Sequence, residues 1–156
     1  MDFEVNKRRG FWFYGLAGSG KSFTSQIVAG VVANAFVIDG HDIRKLISYD
    51  LGYSIEDRKI QLKRLLGMAQ LALDNKCFPI ISTVTMTKEI QTRCYTAGIE
   101  VILIKRSFET IKKLRNIYQT EKNVVGVDLT LEDIEAPCLF NDGTEQFSQT
   151  VIDFIG

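Results

Sequence analysis

The chain has 156 residues, of which 46% are hydrophobic and 24% charged, with 19 basic side chains against 19 acidic ones. That length fits one domain, and a formal net charge of zero gives no global attraction to nucleic acid or to an anionic membrane. Two prolines and a mean hydropathy of +0.03 exclude a disordered or collagen-like chain, and no apolar run reaches the ~18 residues of a membrane-spanning helix. Neither nucleic acid nor membrane is therefore an expected partner. The three cysteines, Cys77, Cys94 and Cys138, are odd in number and lack C-x-x-C spacing. They predict neither a disulfide framework nor a zinc site, and each sits beside an apolar segment where a buried thiol is expected. The polar start, with Lys7, Arg8 and Arg9, carries no small-residue cleavage pattern, so a cytoplasmic location is expected.

Strand-like and helix-like segments alternate along the chain. Phe11 to Leu16 is an aromatic-rich run that predicts a buried strand. A Gly-rich turn follows, then a predicted helix from about Lys21 to Ala33. Ala35–Asp39 reads as a second strand ending in an acid, and Arg44–Tyr49 as a short helix. Ser54-Ile55-Glu56-Asp57 predicts a capping box, with Ser54 as N-cap and Asp57 reaching back. The helix behind it is expected to run to about Asn75, with Leu62, Leu65, Leu66, Ala69, Ala72 and Leu73 on one face. A third strand is expected over Phe78–Val84 and a helix over Lys88–Ala97, closed by Gly98. Val101–Ile104, four branched apolar residues in a row, predicts the next strand. A helix from Phe108 to about Tyr118, a long excursion over Glu121–Pro137, a short strand at Leu139-Phe140 and a last helix over Thr144–Ile155 complete the chain. Excursions this long inside a compact domain are usually functional. The pattern predicts one α/β domain over residues 1–156, with a parallel sheet between helices on both faces. Ligands of such sheets bind at the carboxyl ends of the strands.

Gly15-Leu16-Ala17-Gly18-Ser19-Gly20-Lys21-Ser22 fits G-x-x-x-x-G-K-S/T between a predicted strand and a predicted helix. Its glycines let the backbone turn its N–H groups inward, and those donors with the helix N-terminus form a cradle for polyphosphate oxygens. Lys21 supplies a charge at the β and γ phosphates, and the Ser22 hydroxyl is placed to ligate Mg²⁺. Gly15, Ala17, Gly18, Ser19, Gly20, Lys21, Ser22 and the next residue, Phe23, are the candidate ATP-binding residues. A Gly-rich turn that merely precedes a lysine is the plain alternative. At the end of the second strand, Asp39-Gly40-His41-Asp42-Ile43-Arg44 places two acids, an imidazole and a guanidinium within six residues. Asp39, His41 and Asp42 are candidates to orient an attacking hydroxyl and take its proton. Arg44 is a candidate grip on an acceptor's phosphate or sulfate. The plain alternative is a strand-to-helix turn in which Asp39 or Asp42 caps the helix.

Phe11–Ser22, Asp39–Arg44 and Asp50-Leu51-Gly52-Tyr53-Ser54-Ile55-Glu56-Asp57-Arg58 together resemble the adenylylsulfate kinases in order and spacing, as do Gly126-Val127-Asp128 and Glu135-Ala136-Pro137 near a lid. The resemblance covers about Phe11 to Ile155. It implies a single-domain, three-layer P-loop fold with five parallel strands and a lid over about residues 115–137. It also implies transfer of the ATP γ-phosphate, with Mg²⁺, to the 3′-hydroxyl of a nucleotide. By that resemblance Arg44 and Arg58 would hold the acceptor's anionic groups and Tyr53 would stack on its base. Arg115, Tyr118 and Val127 would belong to the lid. Gln61 and Thr83-Val84-Thr85 would line the acceptor side, and a homodimer is expected.

The chain also departs from the family pattern. His41 and Asp42 stand where the family has the last two residues of D-G-D-N. Gln61 stands for the Asn of R-x-x-N, keeping the amide and lengthening its reach. Thr83–Lys88 replaces a stretch like F-I-S-P-Y-R, and Ile117-Tyr118 leads into Gln119 where the family has a lysine. The donor half matches and the acceptor half is rewritten. The expected acceptor is thus adenylylsulfate or a related nucleotide such as cytidine diphosphoramidate. Two further readings are a non-catalytic nucleotide-binding relative and a kinase for a small sugar or acid.

Overall fold

A computed structural model of the chain describes residues 8–115, 124–125 and 132–156. Five strands, β1 (Gly10–Tyr14), β2 (Ala35–Asp39), β3 (Phe78–Thr83), β4 (Ile99–Lys105) and β5 (Cys138–Phe140), form one sheet in the order β2-β3-β1-β4-β5. Every pairing is parallel. Six helices lie among the described residues: α1 (Lys21–Ala29), α2 (Gly40–Leu46), α3 (Ile55–Asp74), α4 (Lys88–Ala97), α5 (Phe108–Leu114) and α6 (Glu145–Ile155).

The alternation of side chains along β1 divides the core. Trp12 points to one face, where it packs with Ile38, Ile81 and Val101 against Leu62, Leu65, Leu66 and Ala69 of α3 and Ile90 and Cys94 of α4. Phe11 and Phe13 point to the other face and pack with Ile80, Ile102 and Ile104 against Val28 of α1 and Phe147 and Val151 of α6. The result is the predicted three-layer arrangement. Because β1 is central and its neighbours are β3 and β4, the loop after β1 falls in the crevice at the carboxyl ends of the strands.

Several boundaries differ from the sequence expectation. α1 stops at Ala29, four residues early, where the Gly30 N–H bonds back to Gln26 and Ile27 and Asn34 turns the chain with φ 56°. α2 begins at Gly40 rather than Arg44, because the Asp39 carboxylate accepts the His41 N–H and caps the helix. The expected capping box is half formed. The Ser54 hydroxyl accepts the Asp57 N–H, but the Asp57 carboxylate accepts from Gly52 and so ties down the preceding loop. α4 matches its expected span, and Gly98 closes it in the left-handed conformation. Cys94 is buried, and burial pushes its thiol up to about 12; Cys138 is exposed, against the expectation of a buried thiol.

Tyr118, Val127 and most of the expected lid lie outside the described residues. Of the excursion, Val124 and Val125 are buried, and Val124 forms a small cluster with Ile111 against which Leu16 and Ala17 of the phosphate loop pack. Residues 132–137 carry no helix or strand.

Candidate active site

The loop from Gly15 to Gly20 is held where its backbone can enclose an anion. A Cβ on Gly15 would collide with the Ile104 carbonyl oxygen, so only glycine lets the loop leave β1 this close to β4. Gly20 adopts φ 104°, and a Cβ there would sit 2.5 Å from the Asn141 side-chain nitrogen. That nitrogen donates to the Ser19 carbonyl at 2.8 Å, so the end of β5 supports the loop from behind. The Gly15 N–H donates to the Thr83 carbonyl, which ties the loop to β3. No side chain caps the N-terminus of α1, and its first turn holds no acid. Its N–H groups are thus left to a ligand, and the helix end favours an anion there.

Lys21 folds back over this loop. Its ammonium donates to the carbonyls of Gly15 at 2.8 Å and Leu16 at 3.0 Å. Its side chain is only partly exposed, and desolvation pushes its pKa down to about 8. Nearby Arg115 pushes the same way and Asp39 opposes both. In the free protein Lys21 is therefore half neutral near pH 8, and a bound polyphosphate would restore its proton. Calorimetry in buffers of different ionisation enthalpy should record uptake of about half a proton per ATP at pH 8 and almost none at pH 6.5. Equal proton release at both pH values would refute the assignment.

Ser22 and Asp39 meet at the mouth of the loop, where the Ser22 hydroxyl donates to the Asp39 carboxylate at 2.7 Å. The Ser82 hydroxyl approaches the same oxygen at 3.4 Å. These hard oxygens fit Mg²⁺, which keeps several waters and takes only one or two protein ligands beside substrate phosphates. Among the described residues no cluster of three or more His, Cys, Asp or Glu forms a closed metal cage. Asp39 thus has two duties, as it caps α2 and faces Ser22. His41 and Asp42 follow in the first turn of α2, both exposed.

Across from the phosphate loop, the loop between α2 and α3 is pinned from several directions. Arg64 grips Asp50 with two hydrogen bonds of 2.7 and 2.9 Å. Arg44 donates to the Gly52 carbonyl at 2.7 Å, and Arg58 to the Tyr53 carbonyl at 2.9 Å. The guanidinium carbons of Arg44 and Arg58 lie 4.3 and 5.4 Å from the centre of the Tyr53 ring, so cation–π contacts gather these three residues. Arg58 is buried. Thr83 is committed within the protein. Its hydroxyl accepts from the Trp12 indole at 2.9 Å and donates to the Thr85 carbonyl at 2.6 Å. It therefore shapes the wall with Val84 and Thr85.

One cavity of about 1140 Å³ joins the two halves. Its walls include Ala17, Gly18, Gly20, Lys21, Ser22 and Phe23 on one side, and Arg44, Tyr53, Arg58 and Gln61 on the other. Asp39, His41 and Asp42 lie on its wall as well. Arg115 also lines it and packs against Gly18. The structure thus brings together every described residue proposed from sequence except Gly15 and Ser19. Those two lie beneath the loop, Gly15 against Ile104 and Ser19 buried. Sequence reasoning missed Arg106, which donates to the Gly18 carbonyl at 3.4 Å and lines the cavity. It also missed Ser82 and Asn141. The signal for Asn141 was present, since a polar residue directly after a strand marks a carboxyl end.

A model of the family described as adenylylsulphate kinase matches residues 8–113. The chain belongs to this family. As a member it is an ATP-dependent phosphotransferase with a hydroxyl group as acceptor. Among its relatives is the adenylyl-sulfate kinase of Thermodesulfovibrio yellowstonii, 29% identical over 141 residues, which are 81% of this chain and 70% of that one. A probable adenylyl-sulfate kinase of Halalkalibacterium halodurans is 30% identical over 92 residues, 56% of this chain and only 44% of the relative. The fold matches the Mycobacterium tuberculosis APS kinase in complex with AMPPNP and APS, with a TM-score of 0.80 and 22% identity, over 95% of this chain and 97% of that one.

Proposed function

We propose that the protein moves the γ-phosphate of ATP, with Mg²⁺, to the 3′-hydroxyl of a nucleotide that carries a second anionic group. Adenylylsulfate and relatives such as cytidine diphosphoramidate are the candidate acceptors. The observation that carries this reading is the shared cavity: a phosphate loop at one end and two guanidinium groups around Tyr53 at the other, with Asp39 and His41 between them. The solved relative bound to AMPPNP and APS supports the same division.

The acceptor oxygen attacks the γ phosphorus in line. A new P–O bond forms, the bond from the γ phosphorus to the bridging oxygen breaks, and ADP leaves with that electron pair. Lys21 and the loop amides stabilise charge on the moving group. Bound Mg²⁺, for which Ser22 and Asp39 are the candidate ligands, would supply further charge neutralisation. Arg44 and Arg58 hold the acceptor's anionic end, and Tyr53 offers a flat face to its base. The hydroxyl proton passes to Asp39, His41 or Asp42. Arg115, against Gly18 of the phosphate loop, and Val124 on the cavity wall would help to exclude water.

A coupled ADP-release assay over a panel of nucleotide acceptors tests the function. Acceptor-dependent turnover is the expected result, and none anywhere in the panel would refute it. His41→Asn identifies the base. If His41 takes the proton, turnover falls by about 10²–10⁴-fold. An unchanged rate assigns the proton to an acid. The non-catalytic reading predicts tight ATP binding without turnover, and the sugar-kinase reading predicts activity on a sugar alone. The family resemblance supports a homodimer, which sedimentation of the purified protein would test.

A further inference from the structure

Asn141 is the first residue after β5, and its side chain is divided between the fold and the phosphate loop. Its Oδ1 accepts the Gly143 N–H at 2.8 Å, and its Nδ2 donates to the Ser19 carbonyl at 2.8 Å. Chemistry fixes this orientation, since a backbone N–H only donates and a carbonyl only accepts. The residue is buried, and its own N–H donates to the Lys105 carbonyl at 2.7 Å, which continues the pairing of β4 with β5. The amide is therefore a short, fixed arm from the sheet to the loop.

A trans peptide carries its C=O and the following N–H in opposite directions, and the Ser19–Gly20 peptide is trans. With the Ser19 carbonyl pinned toward Asn141, the Gly20 N–H points away from Asn141. Gly20 lines the cavity, whereas Ser19 and Asn141 do not, so the side opposite Asn141 is the cavity side. Among the described residues no protein group accepts the Gly20 N–H. A donor fixed in advance holds an anion without the cost of turning a peptide round at the moment of binding. We propose that Asn141 is a positioning residue for the phosphate donor: through the Ser19 carbonyl it holds the Gly20 N–H toward the nucleotide's phosphate oxygens. This rests on the phosphate loop holding a nucleotide, and it adds a residue from a remote strand to that site.

The test uses ADP with Mg²⁺ as the probe, read by calorimetry and by the Gly20 amide signal in ¹⁵N–¹H spectra. In the wild type that signal should move downfield as ADP binds. Asn141→Ser keeps an oxygen for the Gly143 N–H but is too short to reach the Ser19 carbonyl. It should bind ADP about 10-fold more weakly, with a smaller Gly20 shift and an unfolding midpoint close to that of the wild type. Asn141→Asp also keeps that oxygen, and as a carboxylate it offers the Ser19 carbonyl no proton. Its affinity relative to the wild type should be lowest at pH 8 and recover as the pH falls, when the protonated carboxyl can donate to that carbonyl. A merely structural residue would not tie affinity to that proton. A wild-type Gly20 signal indifferent to ADP overturns the inference, and so does wild-type affinity in Asn141→Ser. If Asn141→Ser fails to fold, Asn141→Asp decides: recovery at low pH supports the inference, and a ratio constant with pH overturns it. If the wild type binds no ADP, the phosphate-loop reading itself fails.

Discussion

Lys21→Ala is expected to lower kcat by about 10³-fold or more while the unfolding midpoint stays near that of the wild type. The ammonium folds directly onto the phosphate loop, bonded to the Gly15 and Leu16 carbonyls. Lys21 belongs to none of the hydrophobic core clusters, so the fold should survive its loss. The charge cannot be replaced by water, because stabilisation of a migrating phosphoryl group depends on donors already fixed in place. Single-turnover kinetics with saturating ATP would measure the effect. A variant within tenfold of the wild type would remove the phosphate loop from the mechanism.

Substitution of Asp39 should separate two roles that one carboxylate fills. Asp39→Ala removes the cap of α2 and should cost about 1 kcal/mol of stability. It also removes the partner of Ser22, and turnover should fall by about 10²–10⁴-fold. Asp39→Asn keeps an oxygen for the His41 N–H, so stability should recover. The negative charge facing Ser22 is still lost, so activity should remain low and the need for Mg²⁺ should rise. Urea unfolding and a magnesium titration of kcat would read the two effects. If Asp39→Asn were fully active, the acid would be a helix cap and nothing more.

Much of this site was legible because the sequence signals were local. The phosphate loop needs glycine at fixed offsets and a strand before it, and both are visible in eight residues. The core faces of α3 and the alternation in β1 follow directly from side-chain period. Capping was harder to place. Asp39 was recognised as a functional acid and also as a cap candidate, but the start of α2 was set four residues late. A carboxylate that serves a helix and a cavity at once gives no separate signal for each. The ends of α1 and α2 depend on which backbone groups find partners, and hydropathy does not record that. Arg106 and Asn141 escaped for a different reason. They reach the loop across about 88 and 122 residues of sequence, respectively, and only the sheet order brings them there. Thr83 lines the cavity. Its hydroxyl, however, serves Trp12 and Thr85, a pairing set by contact across the sheet.

The most direct test of the whole account follows the phosphorus atom itself. Wild-type protein, ATP, Mg²⁺ and the nucleotide panel can be watched by ³¹P nuclear magnetic resonance. A new phosphomonoester signal coupled to the 3′-carbon proton of an acceptor, growing as ADP forms, is the predicted result. ATP that stays intact with every acceptor, or that yields only inorganic phosphate, would contradict it.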